Sequence, residues 1–321
     1  MSGEFDLIRK YFRTATPSRG DVITGIGDDC ALLRVPPAQE LAVSMDTLVC
    51  GRHFAEDVDP ESLGHKALAV NLSDLAAMGA EPAWVTLGLT LPRVDETWLS
   101  DFMRGFSALA ARHQVQLIGG DTTRGPLSVT IQAHGLVPRG DALFRGGAGA
   151  GDLVYVSGTL GDAGLALRAQ QGLCLPAKVF EAVKQRLDRP VPRVGLGLAL
   201  RAYASAAIDL SDGLGGDLGH ICEQSGLGIT LLLERLPLSD AVRDYVQATD
   251  DWSLPLSSGD DYELAFTLPA GRQAGFESLA RQFDVAVTRV GVVGPGKRVR
   301  AIHPDGHDID QATAGYDHFN V

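Results

Sequence analysis

The chain has 321 residues, 45% of them hydrophobic, enough for two domains or one large one around a sizeable core. Its 40 acidic residues outnumber 28 lysines and arginines, giving a formal net charge of −12. That excludes nucleic-acid binding through backbone phosphates, which needs a basic face, and leaves any phosphorylated substrate to be neutralised by something other than net charge.

Four cysteines, Cys30, Cys50, Cys174 and Cys222, form no C-x-x-C pair, which argues against a zinc knuckle. Widely spaced thiols suit a reducing cytoplasm. The first ten residues lack the apolar core of a signal peptide, and no apolar run reaches the roughly 18 residues of a membrane helix. The expectation is a soluble cytoplasmic protein.

In chain order, residues 41–46 read as a strand ending at Asp46. A helix follows over 60–79, begun by Pro60 and stopped by Gly79. Residues 84–91 are strand-like, Asp95 is a helix N-cap, and that helix runs to about 113. A short strand at 115–118 delivers Gly119-Gly120-Asp121, and 127–137 alternates as another strand. The glycine-rich stretch 139–151 is the clearest break, so the expected domains are 1–150 and 151–321. Beyond it, strands are expected at 153–157, 206–210, 229–233, 262–268 and 287–293. Helices are expected at 162–171, 194–204, from 213 to about 225, at 238–247 and at 272–283. The fold class is α+β, a mixed architecture of two domains.

Six segments ending in aspartate carry the chemistry: Gly27-Asp28-Asp29, Ser44-Met45-Asp46, Asn71-Leu72-Ser73-Asp74, Gly119-Gly120-Asp121, Asp209-Leu210-Ser211-Asp212 and Gly259-Asp260-Asp261. Carboxylates on small-residue turns crowd together only where cations hold them, which points to a multi-metal site handling polyphosphate. The Asp28-Asp29 turn opens into Cys30-Ala31-Leu32-Leu33, an apolar run that reads as buried chain. Ser44 and Asp46 share one strand face. Asn71 and Asp74 share a helix face that is otherwise apolar, so a buried carboxylate there needs a partner or a metal. Gly119 and Gly120 give a nucleotide room to approach the backbone. Asp212-Gly213 opens a helix whose free N–H groups suit an anion. Asp260 is compatible with a metal ligand, a substrate contact or a plain loop.

Two motifs are decoys. Gly291 to Lys297 has phosphate-loop spacing, but Arg298 replaces the hydroxyl that binds magnesium, and Pro295 removes an N–H. The run Gly146–Gly151 lacks a strictly spaced G-x-G-x-x-G after a strand. Among basic residues, Arg145 in the glycine-rich loop could reach a phosphate, with Arg124 a weaker candidate. A lone histidine such as His53 is more often structural.

Taken in order, Gly25–Leu33, Ser44–Phe54, Lys66–Pro82, Gly119–Pro126, Ala207–Ile221, Ser258–Phe266 and Gly315–Phe319 resemble the thiamine-monophosphate kinases, relatives of aminoimidazole ribonucleotide synthetase and selenide water dikinase. The resemblance implies ATP-dependent phosphorylation of thiamine monophosphate with several magnesium ions, in a homodimer whose N-terminal sheets pack together. It implies magnesium at Asp29, Ser44, Asp46, Asp74, Asp121, Asp209 and Asp212, with Met45 offering its backbone carbonyl. It implies ATP contacts at Gly120, Asp121, Arg145 and Ser211, with Asp46, Asp121 and Asp212 catalytic. It places the substrate against His53, Asp260 and a tail aromatic, Tyr316 or Phe319. Where the family often has glutamate, this chain has the shorter Asp260. The alternatives are a sister synthetase or selenophosphate-type kinase, a metal-dependent phosphatase, or a non-catalytic cation-binding protein. Calcium-binding loops gather their acids in one stretch, whereas here they are dispersed.

Overall fold

A computed structural model describes residues 4–309, so the tail aromatics Tyr316 and Phe319 lie outside the described residues. The chain divides into two compact units, Met1–Leu75 with Ala80–Ala142, and Ala76–Gly79 with Leu143–Val321. The second begins at Leu143, inside the glycine-rich stretch. No helix among the described residues is long and apolar enough to cross a membrane.

The first unit opens with a short helix, α1 (Glu4–Leu7), and a two-stranded ribbon, β1 (Val22–Thr24) and β2 (Leu32–Leu33). Its main sheet comprises β3 (Gln39–Val49), β4 (Glu81–Leu91), β5 (Gln116–Arg124) and β6 (Ser128–Pro138), in the order β3-β6-β4-β5. Two helices complete it, α2 (Pro60–Ala77) and α3 (Glu96–Arg112). The α2 sequence is apolar on nearly every side, and the helix is correspondingly buried all round from Leu63 to Leu75, with only His65 and Asp74 half-buried. It meets α3 backbone to backbone: a Cβ at Gly64 would lie 1.9 Å from the Phe102 carbonyl, and one at Gly105 would lie 1.8 Å from that of Glu61. Asp95 caps α3, accepting from the N–H groups of Thr97 and Trp98 as its sequence position predicts.

β5 corrects the reading at 115–118. It does not end before Gly119 but runs on to Arg124, because Thr86 to Leu91 of β4 pair with Gly119 to Arg124 in parallel register.

The second unit holds a seven-stranded sheet: β7 (Leu153–Ser157), β8 (Ala206–Asp209), β9 (Gly228–Leu232), β10 (Leu264–Leu268), β11 (Val287–Gly294), β12 (Val299–Ile302) and β13 (Asp308–Ile309). The order is β13-β12-β9-β11-β7-β10-β8, antiparallel except for β9 with β12. The helices are α4 (Asp162–Gln170), α5 (Ala177–Asp188), α6 (Val194–Leu200), α7 (Leu214–Ser225), α8 (Asp240–Thr249), α9 (Ser253–Ser257) and α10 (Gln273–Ala280). Its core runs from Val154 and Val156 through Leu218 and Ile221 to Ala265 and Val290. Helix α5 is not among the elements expected from the sequence, because its polar face masks two buried anchors, Val183 and Leu187. The phosphate-loop decoy is the end of β11 followed by a turn through Gly296, at φ +121°.

Candidate active-site residues

In the first unit, β3 and α2 bring three of the expected groups together. The Ser44 hydroxyl donates to the Asp74 carboxylate. The Asp46 N–H donates to the Asn71 side-chain carbonyl at 3.2 Å, and the Asn71 amide donates to the Ala67 carbonyl at 3.0 Å. Asn71 is buried and Asp74 half-buried. The strand alternation predicted for Ser44 and Asp46, and the helical spacing of Asn71 and Asp74, therefore face one another. The donors are all oxygens, the set a hard divalent cation prefers. Met45 points the other way and is 61% exposed.

The Gly-Gly-Asp segment has a different reason for its second glycine than the sequence offers. Gly120 sits at φ +153°, and a Cβ there would lie 2.0 Å from the Leu87 carbonyl of β4. The neighbouring strand, with no nucleotide needed, requires glycine at this point. Asp121 beyond it is exposed.

The Asp28-Asp29 turn corrects another expectation. It does not lead into buried chain: Cys30 is exposed and Leu32 is 56% exposed. The run alternates, so Ala31 and Leu33, together with Val22 of β1, pack on the small cluster of Ala83, Trp84, Ile118 and Leu136. Asp28 accepts from the Asp29 N–H at 2.9 Å, and both acids face solvent. His53 lies in the turn after β3, where its Nδ1 accepts from the Val49 N–H at 3.0 Å.

In the second unit, Asp209 is buried at the end of β8, opposite Leu264. Ser211 and Asp212 follow on the half-buried turn into α7. This turn depends on Asp217, a residue the sequence reading passed over. Its buried carboxylate accepts from the N–H groups of Asp212 and Gly213, both at 3.1 Å. Burial first, and then the nearby Asp212 charge, push Asp217 up to about 7. An acid in the first turn of a helix was the available signal. Arg145 is exposed. Its loop is tied down on both sides: the Ala207 N–H donates to the Phe144 carbonyl at 2.9 Å, and the N–H groups of Gly147 and Ala148 donate to the Ser225 hydroxyl. The Arg145 charge opposes the rise at Asp217.

The segment around Asp260 folds back on that turn. Asp260 N–H donates to the Ser211 carbonyl at 2.9 Å, and Tyr262 N–H to the Leu210 carbonyl at 2.8 Å. Asp261 turns inward, and both its oxygens accept from the Gly161 N–H. Burial drives its carboxyl well above the ordinary carboxylate range. Among the described residues, one group of three His, Cys, Asp or Glu side chains has its ligand atoms within 4.8 Å of one another, His303, Asp305 and His307. The six aspartate segments do not form such a group.

Residues 27–137 match the family AIR synthase related protein, N-terminal domain, and residues 149–304 the family AIR synthase related protein, C-terminal domain. The thiamine-monophosphate kinase of Salmonella typhimurium is 50% identical over 319 residues, 99% of this chain and 98% of that protein. The chain belongs to the thiamine-monophosphate kinase family. The family's Bacillus subtilis thiamine-monophosphate kinase is 33% identical over 98% of this chain and 99% of that protein. Among solved structures, thiamine-monophosphate kinase from Stenotrophomonas maltophilia superimposes with a TM-score of 0.87, at 47% identity over 96% of this chain and 98% of that one. AaThiL complexed with AMPPCP and TMP follows the chain with a TM-score of 0.77, at 32% identity over 99% of this chain and 97% of that one. The hydrogenase maturation protein HypE, at 22% identity and a TM-score of 0.76, shares the fold of these kinases.

Proposed function

We propose that the chain transfers the γ-phosphoryl group of ATP to thiamine monophosphate, forming thiamine diphosphate by direct in-line attack. One observation carries the reading: AaThiL, matched over 99% of this chain, holds AMPPCP, a methylene-bridged ATP analogue, together with TMP. Phosphoryl transfer asks the protein chiefly for positioning and charge neutralisation. A phosphate monoester is already ionised, so the acceptor needs no protein nucleophile and the chain no phosphorylated intermediate.

Magnesium, if bound, would offset the negative charge of the phosphates. Ser44, Asp46 and Asp74, and separately Asp209 and Asp212, would hold it, with Asp29, Asp121 and the Met45 carbonyl as further ligands. Gly120, Asp121, Arg145 and Ser211 take ATP in this reading, and Asp46, Asp121 and Asp212 are the catalytic aspartates. His53, Asp260 and Tyr316 or Phe319 take the substrate, whose cationic thiazolium favours a carboxylate and an aromatic face. Residues 1–150 serve ATP, metal and dimer formation, and residues 151–321 complete the catalytic apparatus. Support for a homodimer comes from the outward face of edge strand β3, where Leu41, Val43 and Met45 are exposed. Four free cysteines are consistent with a cytoplasmic enzyme.

The test is phosphorus NMR of the pure protein with ATP, magnesium and thiamine monophosphate. Thiamine diphosphate and ADP are expected. Free phosphate alone would make the chain a hydrolase, and no turnover a binding protein. A phosphoenzyme trapped with radiolabelled ATP would overturn direct transfer.

A further inference from the structure

The backbone from Gly259 to Tyr262 is held in an unfavourable shape. Gly259 has φ +70°, and two side-chain-bearing residues, Asp260 and Tyr262, have φ +60° and +48°. Such conformations persist only where the surroundings over-determine them. Here the surroundings are a buried ion cluster directly after the segment. Glu263 is fully buried. Its Oε2 accepts from the Ser157 hydroxyl at 2.6 Å and from Arg193 Nε at 2.7 Å. Its Oε1 accepts from Arg193 Nη2 at 2.5 Å and from Arg186 Nη2 at 2.6 Å. Arg193 thus grips both oxygens in a fork, a geometry that lysine cannot reproduce. The carboxylate is packed so closely that a Cβ at Gly158 would lie 2.1 Å from Oε1.

The cluster is tied to the candidate site through the backbone. The Glu263 carbonyl accepts from the Leu210 N–H at 2.9 Å, and the Tyr262 and Asp260 N–H groups return bonds to the Leu210 and Ser211 carbonyls. Three backbone hydrogen bonds thus join the two segments. Asp260 stands at the strained centre of one, and Ser211 and Asp212 end the other.

We propose that Arg193 and Arg186, acting through Glu263, are positioning residues that hold Asp260 against the Ser211–Asp212 turn and thereby set the affinity for the phosphate-acceptor substrate. The arginines touch no substrate themselves. This rests on the reading of Asp260 as a substrate contact.

The experiment compares wild type with Arg193→Lys, Arg193→Gln and Glu263→Gln, measuring KM for thiamine monophosphate and for ATP separately, together with hydrogen exchange of the amides from 259 to 263. Losing the fork should raise KM for thiamine monophosphate by about tenfold or more, the scale of one charged hydrogen bond. KM for ATP should change much less, and Arg193→Lys should fall between wild type and Arg193→Gln. Amides 260 and 262 should exchange faster in every variant, a reading that survives even where turnover is lost. Unchanged exchange at those amides, or an equal rise in both KM values, would overturn the inference. Absence of thiamine diphosphate formation by the wild type would instead overturn the functional reading, leaving the exchange result to decide the positioning role.

Discussion

Adding one methyl group at Gly120 distinguishes two reasons for the Gly-Gly-Asp segment. The sequence offers nucleotide approach, whereas the fold offers contact with the neighbouring strand. A Cβ at Gly120 would meet the Leu87 carbonyl oxygen at 2.0 Å and the Leu87 nitrogen at 2.9 Å, whereas one at Gly119 meets only the Thr86 methyl at 4.0 Å. Carbon and oxygen rest at roughly 3.3 Å or more, so β5 would have to retreat from β4 by about 1.3 Å. That stretches the adjoining ladder hydrogen bonds past their useful range of about 3.2 Å. Two such bonds at about 1 kcal/mol each, and about 1–3 kcal/mol for a side chain at this backbone angle, give a loss of roughly 3–5 kcal/mol. At about 3 °C per kcal/mol, Gly120→Ala should melt roughly 9–15 °C below wild type, and Gly119→Ala within about 2 °C of it. The assay is thermal unfolding followed by circular dichroism in the absence of nucleotide. Equal melting temperatures for the two variants would refute the packing argument and return Gly120 to the nucleotide alone.

Asp212→Asn should lower turnover by about a hundredfold or more, the scale of removing one electrostatic contact to a transition state, with an unchanged melting temperature; full activity would remove Asp212 from the chemistry. Arg145→Ala should raise KM for ATP by about tenfold, and unchanged ATP kinetics would make the residue a plain loop cation. Val43→Glu, on the exposed face of β3, should yield a monomer by light scattering, and a dimer of unchanged mass would exclude that face. His113 closes α3, and burial, reinforced by Arg112 and His65, lowers it from 6.5 to about 4. The unfolded chain then binds a proton that the folded chain refuses, so stability is intact above pH 6.5 and falls as pH drops toward about 4. The loss should be about 1–3 kcal/mol, and chemical denaturation of His113→Gln should show a flatter pH profile.

Periodicity and caps were enough to place most elements. Asp95 capped the helix it precedes, and Pro60 opened α2, because both effects act within one turn of chain. Helix α5 escaped because its core contact rests on two residues amid charge. The ribbon at Asp28-Asp29 departs from its sequence pattern because four apolar letters do not say which side of a two-stranded ribbon meets water.

Order along the chain, residue chemistry and family membership were therefore legible in the sequence itself. So was the sharing of one face by Ser44 with Asp46 and by Asn71 with Asp74, since each pair follows the period of its own element. What only the folded chain decided were contacts between segments distant in sequence. Gly120 is glycine because of Leu87, Ser44 meets Asp74 from another element, and Glu263 is held by Arg186 and Arg193 from another part of the unit. Local pattern reports what each residue does to its own backbone. Burial of a charge or a close approach between strands depends on which distant partner arrives, and that is fixed only when the sheet closes.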